Sequence, residues 1–146
     1  LNNKPITITD PNMTRFMMTL ENAVDLVLYA FKKGNSGDIF VQKAPATTIQ
    51  LLANTMKKMF NSKSKIKVIG IRHGEKIHET LLSKEESLNA TDLGNYFRIS
   101  ADNRDLNYDK YFNKGQKPDR INEFNSSNTK QLSEADLISL LKSIGY

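Results

Sequence analysis

The sequence predicts an α/β fold with a small parallel strand pair and flanking helices. Three observations carry this expectation. Residues 38–42 (Asp-Ile-Phe-Val-Gln) and 66–71 (Ile-Lys-Val-Ile-Gly-Ile) are apolar or β-branched runs of strand length, the second reading as a buried strand. Between them Leu51, Leu52, Thr55, Met56, Met59 and Phe60 recur at helical spacing behind Thr47-x-x-Gln50, a capping-box pattern. Strand, helix, strand at this spacing is a βαβ unit, so the two strands are expected to pair in parallel.

The remaining elements follow the same logic. Ile6 and Ile8 alternate within residues 4–10, a short strand closed by the turn residues Asp10-Pro11-Asn12. Met13, Phe16, Met17 and Met18 then flank Arg15. Thr19 is placed as a cap for a helix whose stripe is Leu20, Ala23, Val24, Val27, Leu28 and Phe31, with Glu21 in the first turn and Lys32 and Lys33 in the last. That stripe is expected to pack on the same core as the strand pair. Glu79–Leu82 and Tyr96–Ile99 read as short strands. Residues 101–131, rich in Asn, Asp, Lys and Gly, read as a long extended segment. Ser133 caps a last helix carrying Leu137, Ile138, Leu140, Leu141 and Ile144.

Composition narrows the chemistry. The chain of 146 residues is 38% hydrophobic and 25% charged, which suits one folded domain. Cysteine is absent, so a disulfide framework, a thiolate metal site and a thiol nucleophile are excluded. The two histidines, His73 and His78, are too few for an all-histidine metal site and read as loop or surface residues, so no metal is expected. No apolar run approaches the roughly 18–20 residues of a membrane-spanning helix, and no membrane partner is expected. A net charge of +5 suits an anionic ligand. The basic residues are scattered, and the densest cluster (Lys57, Lys58, Lys63, Lys65, Lys67) contains Phe60 as its one aromatic, so nucleic acid is not the expected partner. The chain opens on Leu1 with no signal-peptide pattern and reads as beginning mid-protein.

Two sites carry candidate chemistry. Gln42-Lys43 and Arg72-His73-Gly74-Glu75-Lys76 each follow a predicted strand, and ligands of α/β folds sit beyond the carboxyl ends of strands. A guanidinium at 72 can bind phosphate in bidentate fashion, and a carboxylate at 75 can accept hydrogen bonds from vicinal hydroxyls. The alternative is a loop salt bridge between Arg72 and Glu75. Arg15 precedes a predicted helix N-terminus, where an anion is favoured. The alternative there is an arginine whose stem packs while its head reaches water. No Gly-x-Gly-x-x-Gly loop follows a strand, so no dinucleotide site is encoded in this chain. Tyr29 and Lys33 match a Tyr-x-x-x-Lys spacing, but they lie at the end of a helix without a cofactor strand or glycine loop before them, so no catalytic residue is assigned.

Four segments occur in order: Ile-Thr-Asp-Pro-Asn-Met-Thr-Arg-Phe-Met-Met-Thr (8–19), Gly-Asp-Ile-Phe-Val-Gln-Lys-Ala (37–44), Arg-His-Gly-Glu-Lys-Ile-His-Glu-Thr-Leu-Leu-Ser (72–83) and Asn-Arg-Asp-Leu-Asn-Tyr-Asp-Lys-Tyr-Phe (103–112). Together they resemble the C-terminal, substrate-binding half of the UDP-N-acetylglucosamine 4,6-dehydratase/5-epimerases of bacterial capsule and O-antigen synthesis, which are extended short-chain dehydrogenases/reductases. Where the capsular branch tends to have Ser-His-Asn-Thr, this chain has Ser126-Ser127-Asn128-Thr129, with Ser127 in the histidine's place.

The resemblance implies a UDP-sugar-binding α/β domain over residues 1–100 and a family-specific tail with a terminal helix over 101–146. It implies that Arg15 and Arg72 grip the pyrophosphate and Glu75 binds the ribose hydroxyls, with Thr14, Val41 and Gln42 as wall contacts. The family oxidises C4 with NADP, eliminates water across C5–C6 and returns the hydride at C6 with inversion at C5. NADP(H) and the catalytic groups belong to the family's N-terminal Rossmann half, which is the implied partner of this chain. A homo-oligomeric, cytoplasmic bacterial enzyme is the implied setting. The alternative from the residues alone is a non-enzymatic module that binds an anionic ligand or a protein.

Overall fold

A computed structural model describes residues 4–101 and 123–146. Its elements in chain order are β1 (Ile6–Ile8), β2 (Thr14–Phe16), α1 (Leu20–Lys33), β3 (Ile39–Gln42), β4 (Ala46–Thr48), α2 (Ile49–Met59), β5 (Ile66–Val68), β6 (Thr80–Leu82), α3 (Lys84–Ser87), β7 (Ala90–Asp92), β8 (Tyr96–Ile99), β9 (Phe124–Asn125) and α4 (Glu134–Ser143). The strands form small sheets: β1 with β5, β2 with β4, β3-β8-β7, and β6 with β9. The fold class is therefore mixed α/β, as expected for the C-terminal part of an extended short-chain dehydrogenase/reductase. The motif at 103–112 lies outside the described residues. Within the segment read as extended over 101–131, the described part holds β9 and a turn closed at 125–128 by the Asn128 N–H on the Asn125 carbonyl.

The described residues cluster into two units. One draws on Leu1–Leu20, Ala44–Thr80 and Asn125–Tyr146, the other on Glu21–Lys43 and Leu81–Phe124. In the first unit α2 packs against α4, β1 and β4. Leu132, Leu137 and Leu141 are buried there against Met17, Leu51, Leu52, Met56, Met59 and Leu140. Both helices are capped by their own sequence. Ser133 accepts the Asp136 N–H at 3.2 Å while the Asp136 carboxylate accepts the Ser133 N–H at 3.1 Å and its hydroxyl at 2.7 Å. The α2 cap is Thr48, which accepts the Leu51 N–H at 3.1 Å, and not Thr47 as the spacing suggests. Thr47 is buried within β4, opposite Arg15 of β2. The three small residues of β4 carry no hydrophobic alternation that a sequence reading could detect.

The parallel pair exists, but between other strands than expected. β5 pairs in parallel with β1, Ile6 opposite Ile66 and Ile8 opposite Val68, whereas β3 lies antiparallel to β8. The βαβ rule constrains strands of one sheet, and β3 and β5 belong to different sheets. The strand over 66–71 is also shorter and less buried than expected. It ends at Val68, and Val68, Ile69 and Ile71 are exposed.

In the second unit, Val41, Leu82, Phe97 and Ile99 form a buried cluster flanked by Ala90 and Phe124. α1 contributes Tyr29, whose ring stacks on Tyr96 at 4.4 Å and meets Phe40 edge-on at 5.7 Å. Apart from Ala23, the predicted stripe does not pack on a core among the described residues. Leu20 is 81% exposed and Phe31 85%, and Val24, Val27 and Leu28 are exposed as well. The half-buried positions are Asn22, Ala23, Leu26, Tyr29 and Ala30, also at helical spacing. α1 thus has two apolar faces, and the sequence pattern marks the more hydrophobic one, not the one that meets described residues. At the end of β3, Lys43 reaches Asp92 at 2.6 Å and lies 4.3 Å from the Phe97 ring centre. The Lys43 ammonium, then the Gly94 N–H, hold the Asp92 carboxyl below its ordinary pKa.

Leu137→Ala is expected to lower the unfolding free energy by about 2–5 kcal/mol, the usual cost of emptying a buried leucine site. Leu28→Ala on the exposed stripe should stay within about 0.5 kcal/mol of the parent chain. Urea unfolding of the two variants checks this. Asp92 titrates lower when folded than when unfolded, so its contribution is present above the unfolded pKa and is lost as pH falls through the lower folded value. The difference in urea midpoint between the parent and Asp92→Asn should therefore be full at neutral pH and shrink below about pH 4.

Candidate anion-binding site

Because β1 and β5 are parallel, their carboxyl ends lie at one edge, and the segments starting at Thr9 and Ile69 leave from there. Ile69 and Gly70 continue the ladder by donating N–H bonds to the carbonyls of Ile8 and Thr9, at 2.9 and 3.1 Å. Arg72–Glu75 then closes a tight turn, with the Glu75 N–H on the Arg72 carbonyl at 3.1 Å. Gly74 sits in it at φ +80°, a conformation that side chains with a Cβ rarely adopt. The Glu75 carboxylate folds back on the turn. One oxygen accepts the Arg72 N–H at 3.2 Å and the other the Thr9 hydroxyl at 3.4 Å.

Arg15 lies in the middle of β2, five residues before the first residue of α1, and it ties this turn to the strand. Its guanidinium donates to the carbonyls of Ile77 at 3.2 Å and Lys76 at 3.0 Å, and to that of Thr14 at 2.7 Å. Glu75 stands 3.8 Å away and Glu79 3.6 Å away. The ion pair that sequence spacing places between Arg72 and Glu75 is thus formed by Arg15 instead. Arg72 meets Glu75 through its backbone, its side chain is exposed, and its guanidinium bonds to no other described residue. The turn therefore presents one unengaged guanidinium beside one half-buried carboxylate. Anion binding by the guanidinium and hydroxyl recognition by the carboxylate are what such a pair can do.

Thr14 is buried, and its hydroxyl lies 2.8 Å from His78 Nδ1 and 2.6 Å from Ser126 Oγ. Its N–H donates to the Ile77 carbonyl at 3.0 Å. Val41 and Gln42 belong to the second unit. Val41 is buried in that unit's core, and Gln42 Oε1 is a buried acceptor without a hydrogen-bond partner among the described residues. The premise that Gln42-Lys43 and Arg72–Lys76 share a sheet edge does not hold, since β3 and β5 are in different sheets. The sequence alone marks no role for Glu79 or Ser126, and His78 reads as a loop or surface residue. The only available signal was their presence in motif-bearing stretches. Ser127, in the histidine's place, donates its hydroxyl to Asn125 Oδ1 at 2.7 Å within a self-contained turn.

Among the described residues no group of His, Asp and Glu is arranged to hold a metal ion. Nor is any described helix long and apolar enough to cross a membrane. Residues 1–101 match the family described as polysaccharide biosynthesis protein, and residues 102–146 the family described as polysaccharide biosynthesis protein C-terminal. A UDP-glucose 4-epimerase of Rickettsia bellii (strain OSU 85-389) is 55% identical over 145 residues, covering 99% of this chain and 42% of its own length. One of Rickettsia felis is 53% identical over 144 residues, again 42% of its length. The X-ray structure of Pen from Bacillus thuringiensis is similar with a TM-score of 0.77 and 32% identity, over 99% of this chain and 41% of that one. The chain thus spans about two fifths of the length of the curated relatives it matches.

Arg15→Ala should destabilise the chain by roughly 1–3 kcal/mol, since it removes charge-assisted bonds and leaves two carboxylates without their cation. Half-exposure of the site keeps the figure at that scale. Urea unfolding together with amide exchange over residues 72–79 checks it; unchanged exchange there would separate Arg15 from the turn.

Proposed function

Because the chain belongs to the polysaccharide biosynthesis protein family, we propose that it is the substrate-binding part of a nucleotide-sugar epimerase or dehydratase serving bacterial surface-polysaccharide synthesis. The observation that supports this most is the Arg72–Glu75 turn at the carboxyl edge of the parallel pair, where an exposed guanidinium stands beside a carboxylate. A sugar nucleotide offers a pyrophosphate for the first and ribose hydroxyls for the second. The Glu75 contacts at 3.4 and 3.8 Å are long, so exchanging them for ribose hydroxyls costs little. Arg15 holds the turn and adds positive charge behind it.

The similarity to UDP-glucose 4-epimerases supports a UDP-sugar as the substrate. The four ordered motifs favour UDP-N-acetylglucosamine as the sugar nucleotide, with 4,6-dehydration and 5-epimerisation as the reaction. In this proposal NADP(H) supplies the hydride chemistry and is held by the Rossmann half outside residues 1–146, in a cytoplasmic homo-oligomer. The described residues do not fit the cofactor. Tyr29, the residue with catalytic-type spacing to Lys33, has its ring stacked on Tyr96 and edge-on to Phe40, and no glycine loop follows a strand.

Hydrogen bonds to charged groups contribute about 1.5–3 kcal/mol each. In the intact enzyme containing this chain, Arg72→Ala is expected to weaken UDP binding by roughly 10- to 150-fold. Glu75→Gln should weaken it less, because an amide still accepts one ribose hydrogen bond. Calorimetric titration of UDP into the parent and both variants is the test. Equal affinity of the parent and Arg72→Ala would remove the phosphate role.

A further inference from the structure

We infer that Ser126, in the C-terminal segment, is a positioning residue that sets the anion-binding segment 72–79 for its ligand; this rests on the reading of that segment as the UDP site. Ser126 is fully buried. Its Oγ accepts the Glu79 N–H at 2.9 Å and lies 2.6 Å from Thr14 Oγ1 and 3.2 Å from the Thr14 carbonyl. Its own N–H donates to the Glu79 carbonyl at 2.8 Å, and its carbonyl accepts Gln131 Nε2 at 2.9 Å.

The hydroxyl has a single proton. With the Glu79 N–H already accepted, that proton goes to Thr14, at either its hydroxyl or its carbonyl. The Thr14 hydroxyl in turn meets His78 Nδ1. Two buried hydroxyls therefore join β2 to the segment where it returns from the Arg72 turn, that of Ser126 to residue 79 and that of Thr14 to residue 78. Arg15 grips the carbonyls of Lys76 and Ile77 just upstream. The two ties together define where Arg72 stands.

The turn at 125–128 is built to hold Ser126 inward. Asn125 Oδ1 accepts the N–H groups of Ser127 and Asn128, at 2.9 and 3.2 Å, and Asn128 Oδ1 accepts the Asn125 N–H at 2.9 Å. Ser127 points its hydroxyl into this turn and is exposed, so the two adjacent serines are not equivalent.

The experiment uses the intact enzyme that contains this chain, with UDP as the probe. Ser126→Ala is expected to weaken UDP binding about tenfold, the loss of a bond worth ~1.4 kcal/mol. It should also speed amide exchange at Glu79 and through 72–78, with protection of α2 and α4 unchanged. Thr14→Val removes the partner hydroxyl at nearly constant volume and should give a similar loss. The double variant should lose little more than either alone, since one network is broken twice. Ser127→Ala should bind UDP as the parent does.

If Ser126→Ala fails to fold, Thr14→Val carries the test. UDP affinity unchanged in Ser126→Ala while Arg72→Ala weakens binding overturns the positioning role and leaves the site reading intact. Affinity lost only together with protection of α2 and α4 assigns Ser126 to general stability and also overturns it. If the parent does not bind UDP, or Arg72→Ala binds it equally well, the site reading falls and this inference with it.

Discussion

The site depends on where one guanidinium is placed. Arg15 sits in the centre of a three-residue strand, and its donors reach the carbonyls of Lys76 and Ile77 on a segment some sixty residues on in the chain. The Ile77 carbonyl also accepts the Thr14 N–H at 3.0 Å, so backbone and guanidinium together tie this loop to β2. A planar donor fork meets two carbonyls at once, which a lysine ammonium cannot do in the same geometry. The two carboxylates beside Arg15, Glu75 and Glu79, balance its charge. With the Arg15 donors occupied, Arg72 is left as the exposed cation of the turn. The division of labour is thus between an arginine that holds the segment and an arginine that is free to meet an anion.

Helices α2 and α4 were legible because their signals are local. Leu51, Leu52, Met56 and Met59 recur at helical spacing, and Ser133 stands three residues before Asp136. Strand pairing is not a local property, so the partners of β3 and β5 could not be read from their own residues. β3 joins β8 because Val41, Phe97 and Ile99 bury one another, a long-range consequence that no window of sequence contains. α1 misled for a different reason. Its hydrophobic residues occupy two faces, and periodicity selects the stronger stripe without saying what covers it.

The candidate site was legible in part. Arg15, Arg72 and Glu75 were marked as chemically suggestive, and the structure brings them into one cluster with Thr14 within the first unit. The contact pattern differed: the guanidinium that meets Glu75 belongs to Arg15, and Arg72 contributes its backbone. Spacing along a chain favours i to i+3 pairs, and it does not register an arginine that arrives from another strand. Glu79 and Ser126 were missed because a serine or a glutamate in a loop looks the same whether solvated or tied. Only burial and the 2.6 Å separation of Ser126 Oγ from Thr14 Oγ1 distinguish them.

In the proposed function, Arg72 holds the diphosphate of a UDP-sugar on a segment that Arg15 keeps in place. A crystal structure of the intact enzyme with UDP tests it most directly. The expected result is a phosphate oxygen within about 3 Å of the Arg72 guanidinium, the ribose hydroxyls on Glu75, and Arg15 still bonded to the carbonyls of Lys76 and Ile77. UDP bound elsewhere, with the Arg72 side chain left in solvent, would contradict it.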